Sequence, residues 1–181
     1  MRLSSYTVTQ SRLIPAAPDV CYDILADYRE GHPSILPPRW FGPLTVEEGG
    51  VGAGTRIRFE MKVLGKTNVG HATITEPVPG RVLVETDAQA GVVTTFVVER
   101  VGAVGSRVTF ETEMTSRGGW LRGLVERVVV PPLLRRIYTE ELALLDERAA
   151  ERLERDDAAA AAAATAPISM GRLPTAPVPV S

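Results

Sequence analysis

The chain has 181 residues, 44% of them hydrophobic and 23% charged, which is the balance of an ordinary globular domain large enough to build a core without metal or disulfide staples. Twenty Lys and Arg stand against 22 Asp and Glu, a net charge of −2 with no footprint for a phosphate backbone, so nucleic acid is excluded as an expected partner. Cys21 is the single cysteine, MRLSSYTVTQ has no apolar signal core, and Val128 to Leu134 is too short and too proline-broken for stable membrane insertion; a cytoplasmic protein is expected.

Tyr6 to Ile14, rich in Thr and Val, predicts a first strand that stops at Pro15. Pro18 to Tyr28 predicts a short helix. Pro18 suits its first turn, Asp19 complements its positive end, and Val20 and Ile24 share a stripe that Cys21 and Leu25 widen. Arg29 to Pro43 holds four prolines and two glycines, which leaves an irregular apolar segment with one helical turn near Ser34 to Leu36. Leu44 to Glu48 predicts a short strand ended by the Gly49 to Gly54 cluster. That cluster has neither the Lys-Ser/Thr ending nor the following helix of a phosphate loop.

Arg56 to Val63 alternates charge with bulk and predicts an antiparallel strand with Ile57, Phe59, Met61 and Val63 inward. A two-residue turn at Gly65-Lys66 would pair Met61 with Gly70, Phe59 with Ala72 and Ile57 with Ile74, and would turn His71 outward beside Glu60. Pro77 to Gly80 makes the next turn, and strands are expected at Arg81 to Asp87 and Val92 to Arg100. Another alternates with Val108, Phe110, Thr112 and Met114 on its apolar face, giving seven strands in all. From Gly119 the period becomes 3.6, with Leu121, Leu124, Val125, Val128, Leu134, Ile137, Tyr138, Leu142 and Leu145 on one stripe. Pro131-Pro132 predicts a kink or a break in that helix. The domain is expected to span residues 1–155, and 156–181, an alanine run followed by a proline-punctuated tail, to be disordered.

The order strand, short helical insert, six antiparallel strands and long terminal helix resembles the helix-grip fold of the START, Bet v 1 and polyketide cyclase or dehydrase superfamily. APDVCYDILADY, TVEEGGVGAGTRIRFEM, TEPVPGRVLVET and GGWLRGLVERVVVPPLLRRIYTEELALLDE resemble its bacterial cyclase-like branch, over Tyr6 to about Arg155. The resemblance implies an α+β fold, a seven-stranded curved antiparallel sheet in β-α-α-β6-α order around a long C-terminal helix. Relatives of this shape include lipid and sterol carriers, hormone receptors, aromatic polyketide cyclases, quinone-binding proteins and chaperone activators, so the shape alone leaves function open.

A curved sheet meets a straight helix along part of its length, and the gap left over is the expected ligand site. Its candidate lining is Ile57, Phe59, Met61, Phe96, Val98, Phe110, Met114, Leu124, Val128 and Tyr138, each of which also fits plain core packing. Ile35, Trp40 and Phe41 are expected at the mouth, as a lip or as anchors of their loop. His32, Glu85 and Tyr138 are the candidate catalytic groups. His32 suits an acid or base near neutral pH or a turn cap; Glu85 lies on a strand whose faces the pattern does not order, so it either points inward to a partner or outward to solvent; Tyr138 offers a ring to the core and a hydroxyl to a ligand. Cys21 reads as a small buried apolar residue. Two histidines and one cysteine at wide spacing predict no metal, and no cofactor is expected. Three functions follow: binding of a hydrophobic or amphipathic small molecule such as a lipid, quinone or polyketide; a cyclase or dehydratase that moves protons with polar cavity residues; or a partner-binding module of the chaperone-activator kind, its protein partner unknown.

Overall fold

The computed structural model describes residues 4–63, 65–116 and 120–165, with the side chains of 4, 116, 120–128 and 165 outside the description. In chain order the elements are β1 (Ser4–Ile14), α1 (Pro18–Ala26), α2 (Gly31–Ile35), β2 (Phe41–Glu48), β3 (Arg56–Val63), β4 (Lys66–Val78), β5 (Val82–Asp87), β6 (Val92–Val101), β7 (Gly105–Ser116) and α3 (Trp120–Thr165). All seven strands form one antiparallel sheet in the order β1-β7-β6-β5-β4-β3-β2. Every consecutive pair from β2 to β7 is a neighbour, so hairpins suffice for them. The long step runs from edge strand β1 to edge strand β2 and carries α1 and α2. The α+β helix-grip architecture is the one expected from the sequence.

One face of the sheet is packed by α3 and the two short helices. Val8, Ile57, Ile74, Leu83, Phe96, Val98, Val108 and Phe110 from the strands meet Leu134, Ile137, Tyr138, Leu142 and Leu145 of α3 and Cys21, Leu25 and Ile35 of α1 and α2. Each large aliphatic side chain closed off in this way is worth roughly 1.5–3 kcal/mol relative to exposure. Ion pairs at the rim, Arg12 with Asp146 at 2.8 Å and Arg152 with Asp23 at 3.1 Å, orient α3 but are half-exposed and contribute little.

Four local expectations are corrected. Val63 pairs with Lys66, Phe59 with Gly70 and Ile57 with Ala72, so the β3–β4 register is displaced by two residues and the turn residues are 64 and 65. Gly65, at φ 73°, therefore takes the second loop position rather than the first. An even displacement leaves every residue on its expected face, so Phe59 and Met61 stay inward and His71 outward, now opposite Arg58. Second, of the kink or break expected at Pro131 and Pro132, the break does not occur, since α3 runs through both. The prolines remove two amide donors, and the helical turns on either side carry the chain through. Third, α3 continues through the alanine run to Thr165, past the expected boundary at 155, because alanine has the best intrinsic helix propensity; residues 166–181 of the expected tail lie outside the described residues. Fourth, the helical turn in the irregular segment spans Gly31–Ile35 instead of Ser34 to Leu36, which puts His32 on a helix.

The α1–α2 connection sets that helix. The carboxylate of Asp27 accepts the amides of Arg29 at 3.0 Å and Gly31 at 3.2 Å, capping α2, and the Asp27 carbonyl accepts the His32 amide at 2.6 Å. The Gly50 carbonyl in turn accepts the Tyr28 amide at 2.9 Å. A Cβ on Gly50 would lie 2.1 Å from Arg29 Nε, and its φ of 130° is foreign to other residues, so glycine lets the loop before β3 close on this connection.

Candidate ligand site

The inward row Glu85–Thr94–Thr112 runs across three adjacent strands, since Glu85 pairs with Thr94 on β5–β6 and Thr94 with Thr112 on β6–β7. Glu85 accepts a hydrogen bond from the Tyr28 hydroxyl at 2.7 Å. His32 Nε2 lies 3.6 Å from the same carboxylate oxygen. His32 Nδ1 is 2.8 Å from the Leu25 carbonyl, which can only accept, so Nδ1 carries a hydrogen and Nε2 is the nitrogen turned to Glu85. The imidazole stacks on Tyr28 at a centroid distance of 4.6 Å and meets the edge of Phe96 at 5.6 Å. At the other end of the row, Thr94 and Thr112 hydroxyls are 2.8 Å apart and Thr112 bonds the Tyr138 hydroxyl of α3. Phe96, Phe110 and Tyr138 stack edge to face alongside.

Glu141, one turn beyond Tyr138, completes the cluster. It is 4% exposed, and its Oε1 is buried with no hydrogen-bond partner among the described residues. Burial, and after it the neighbouring charge of Glu85, holds its carboxyl well above the usual carboxylate range and so favours its protonated form. Tyr138 is raised well above the ordinary phenol, first by burial and then by Glu141; Tyr28 is raised by burial and by Glu85. Both phenols therefore stay neutral, and Tyr28 donates to Glu85. Tyr22 bonds Glu76 at 2.5 Å and sits apart, with Glu76 also accepting the Ala53 amide at 2.8 Å, a structural tie between α1 and the loop before β3.

The three candidate catalytic residues are thus brought together. Glu85 faces inward, His32 is buried at 4% exposure, and Tyr138 closes the row from α3. Sequence reasoning missed Tyr28, Thr94 and Glu141. The signal for Glu141 was a carboxylate on the apolar stripe of Ile137, Tyr138, Leu142 and Leu145; Tyr28 and Glu85 are 57 residues apart and no local pattern joins them. Of the candidate lining, Ile57, Phe96, Val98, Phe110 and Tyr138 are closed into the core, whereas Phe59, Met61 and Met114 are inward yet half-buried. Leu124 and Val128 have side chains outside the described residues. A Cβ on Gly70 would lie 2.4 Å from Phe59 Cζ, so the ring lies across the glycine and its position depends on it.

At the expected mouth, Ile35 is corrected to a core residue at 0% exposure, because α2 turns it under the helix. Phe41 opens β2 opposite Met61. Trp40 anchors its loop to α3. Its Nε1 donates to Glu140 at 2.9 Å, Arg39 bonds the same carboxylate, and the Arg39 guanidinium lies 4.9 Å from the indole centroid. Cys21 is fully buried, and burial pushes its thiol up to about 11, which suits packing and not nucleophilic attack. No group of His, Cys, Asp and Glu among the described residues could hold a metal.

A separate open cleft of about 830 Å³ lies outside this interior, between α1–α2 and the far end of α3. Asp23, Asp27, Glu30, Arg148, Glu151 and Arg152 line it, a solvated set of mixed charge.

Residues 5–150 match the family described as polyketide cyclase/dehydrase and lipid transport. The chain belongs to that family. Among solved structures it is similar to the KanY protein, with 29% identity and a TM-score of 0.70, over 81% of this chain and 98% of the other. A Thermus thermophilus protein aligns at 23% identity and TM-score 0.66, over 81% and 99%, and the Zhui aromatase/cyclase of a Streptomyces species at 19% and 0.62, over 83% and 96%. These last two share the fold. No functionally curated protein matches the sequence. No described helix is long and apolar enough to cross a membrane.

Proposed function

We propose that the protein binds a hydrophobic or amphipathic small molecule, of lipid, quinone or polyketide type, between the sheet and α3. The observation that carries this reading is that Phe59, Met61 and Met114, like Tyr6, Leu44 and Val46 toward the sheet edges, stay only half-buried against the core, whereas Ile57, Ile74, Leu83, Phe96, Val98, Val108 and Phe110 are closed. Inward apolar surface that the protein's own side chains leave uncovered is surface a ligand can cover, at about 25 cal/mol per Å². Two methionines lend that surface an adaptable shape. The 830 Å³ outer cleft is charged and open, so an apolar guest would gain little there. Native mass spectrometry of protein purified from cells tests the reading: a retained mass of a few hundred daltons, lost on extraction with organic solvent, supports it. A bare chain that also fails to take up any apolar compound offered contradicts it.

The convergence of His32, Glu85 and Tyr138 favours a second reading, an enzyme of the cyclase or dehydratase kind. In this reading His32 Nε2 and the Glu85 carboxylate, 3.6 Å apart, take a proton from a bound molecule, with the Tyr28 hydroxyl bonded to that carboxylate. Incubation of a bound ketone in deuterated water checks this. Deuterium entering the carbon next to the carbonyl in wild type and lost in Glu85→Gln supports the enzyme; exchange at the solvent rate in both leaves the carrier.

A further inference from the structure

The buried polar row is paired throughout except at one atom. Tyr28 satisfies Glu85, and Thr94, Thr112 and Tyr138 bond in series, whereas Oε1 of Glu141 has no partner among the described residues although Glu141 is 4% exposed. An unpartnered polar oxygen in an apolar interior is destabilising, and a ligand that bonds to it relieves that cost. Glu141 stands on the stripe of α3 that faces the sheet, between Tyr138 and Leu145, with Glu85 opposite. Resting on the small-molecule reading, we propose that the carboxyl group of Glu141 is the selectivity residue of the interior, donating a hydrogen bond to a neutral acceptor on the ligand, a carbonyl oxygen above all, and rejecting ligands with a carboxylate head.

Both halves follow from the surroundings. A carboxyl buried beside Glu85 with an unpartnered oxygen is biased toward its protonated form and then has a hydrogen to give, and a ligand carbonyl is the acceptor that matches it. A ligand carboxylate in the same place would stand beside Glu85 and be stripped of water, while Glu85, Thr94, Thr112, Tyr138 and Glu141 supply no cation and the His32 imidazole is turned to Glu85. Plain fatty acids would be excluded by their head while neutral ketones of the same bulk are admitted.

A shape-matched set tests the proposal with the full chain: 2-acetylnaphthalene, 2-isopropylnaphthalene and 2-naphthoate, titrated calorimetrically into wild type, Glu141→Gln and Glu141→Leu, with each variant's melting checked first. The expected result is that wild type binds the ketone roughly tenfold tighter than the hydrocarbon and tighter still than the anion, that Gln, which keeps a donor, preserves most of the preference, and that Leu abolishes it while binding the hydrocarbon undiminished. The carbonyl stretch of the bound ketone should move to lower wavenumber in wild type and Gln, and not in Leu. Equal binding of ketone and hydrocarbon in wild type, or a preference unchanged in Leu, overturns the proposal and leaves the small-molecule reading standing. Failure of all three compounds to bind wild type overturns both.

Discussion

Glu141 is also where the fold's dependence on pH should concentrate. Its carboxyl is raised in the folded chain, so the folded state holds a proton that the unfolded chain releases above its ordinary value near 4.5. That contribution is complete below the unfolded pKa and is lost as pH rises toward the folded one, at about 1.4 kcal/mol per pH unit while the two states differ by one proton. Glu141→Gln removes the loss. Its melting temperature should match wild type at pH 4 and exceed it at pH 8, and a variant that tracks wild type across that range would show the acid to be ionised and satisfied. Tyr28 carries the opposite expectation. Tyr28→Phe keeps the stacking on His32 but deprives the Glu85 carboxylate of its 2.7 Å donor, and should cost about 1–3 kcal/mol in urea unfolding at neutral pH.

At the scale of elements, strand alternation was readable because its period of two survives a wrong turn. Placing the β3–β4 loop one position late displaced the pairing by two residues, yet Ile57, Phe59 and Met61 kept their faces. The facing of β5 was not readable, since Val82, Val84 and Thr86 are as apolar as a single Leu83. What decides it is remote: Tyr28 receives Glu85, and Asp87 accepts the amides of His71, Gln89 and Ala90. Pro131-Pro132 did not end the helix: α3 runs through both, although each removes an amide donor. The β3–β4 pair also supplies a test of the interior. In Gly70→Ala the new Cβ would displace the Phe59 ring from 2.4 Å, and the ring can move only over the inward surface; ligand affinity should fall roughly tenfold while unfolding free energy changes by about 1–3 kcal/mol. The Trp40 loop is held by Glu140, so Glu140→Ala, made in a Trp120→Phe background, should red-shift Trp40 emission and speed ligand exchange with little change in stability.

The whole molecule was the most legible level. One strand before two short helices and six between them and a long one fix the order of neighbours, because hairpins place consecutive strands side by side and a single crossing must carry α1 and α2 from one edge to the other. The site was legible in its residue types and not in its wiring: His32, Glu85 and Tyr138 could be named, but their meeting needs the cap by Asp27, the glycine contact at Gly50 and the inward turn of β5, each a product of the fold. The measurement that tests the central claim most directly follows the Met61 and Met114 methyl groups by carbon-13 NMR while 2-acetylnaphthalene is added. Saturable shifts of both methyls, with the amides of Gly31 and Ser34 in the outer cleft unmoved, are predicted. Shifts confined to Gly31, Ser34 and their neighbours, with both methyls unchanged at saturation, would contradict an interior site.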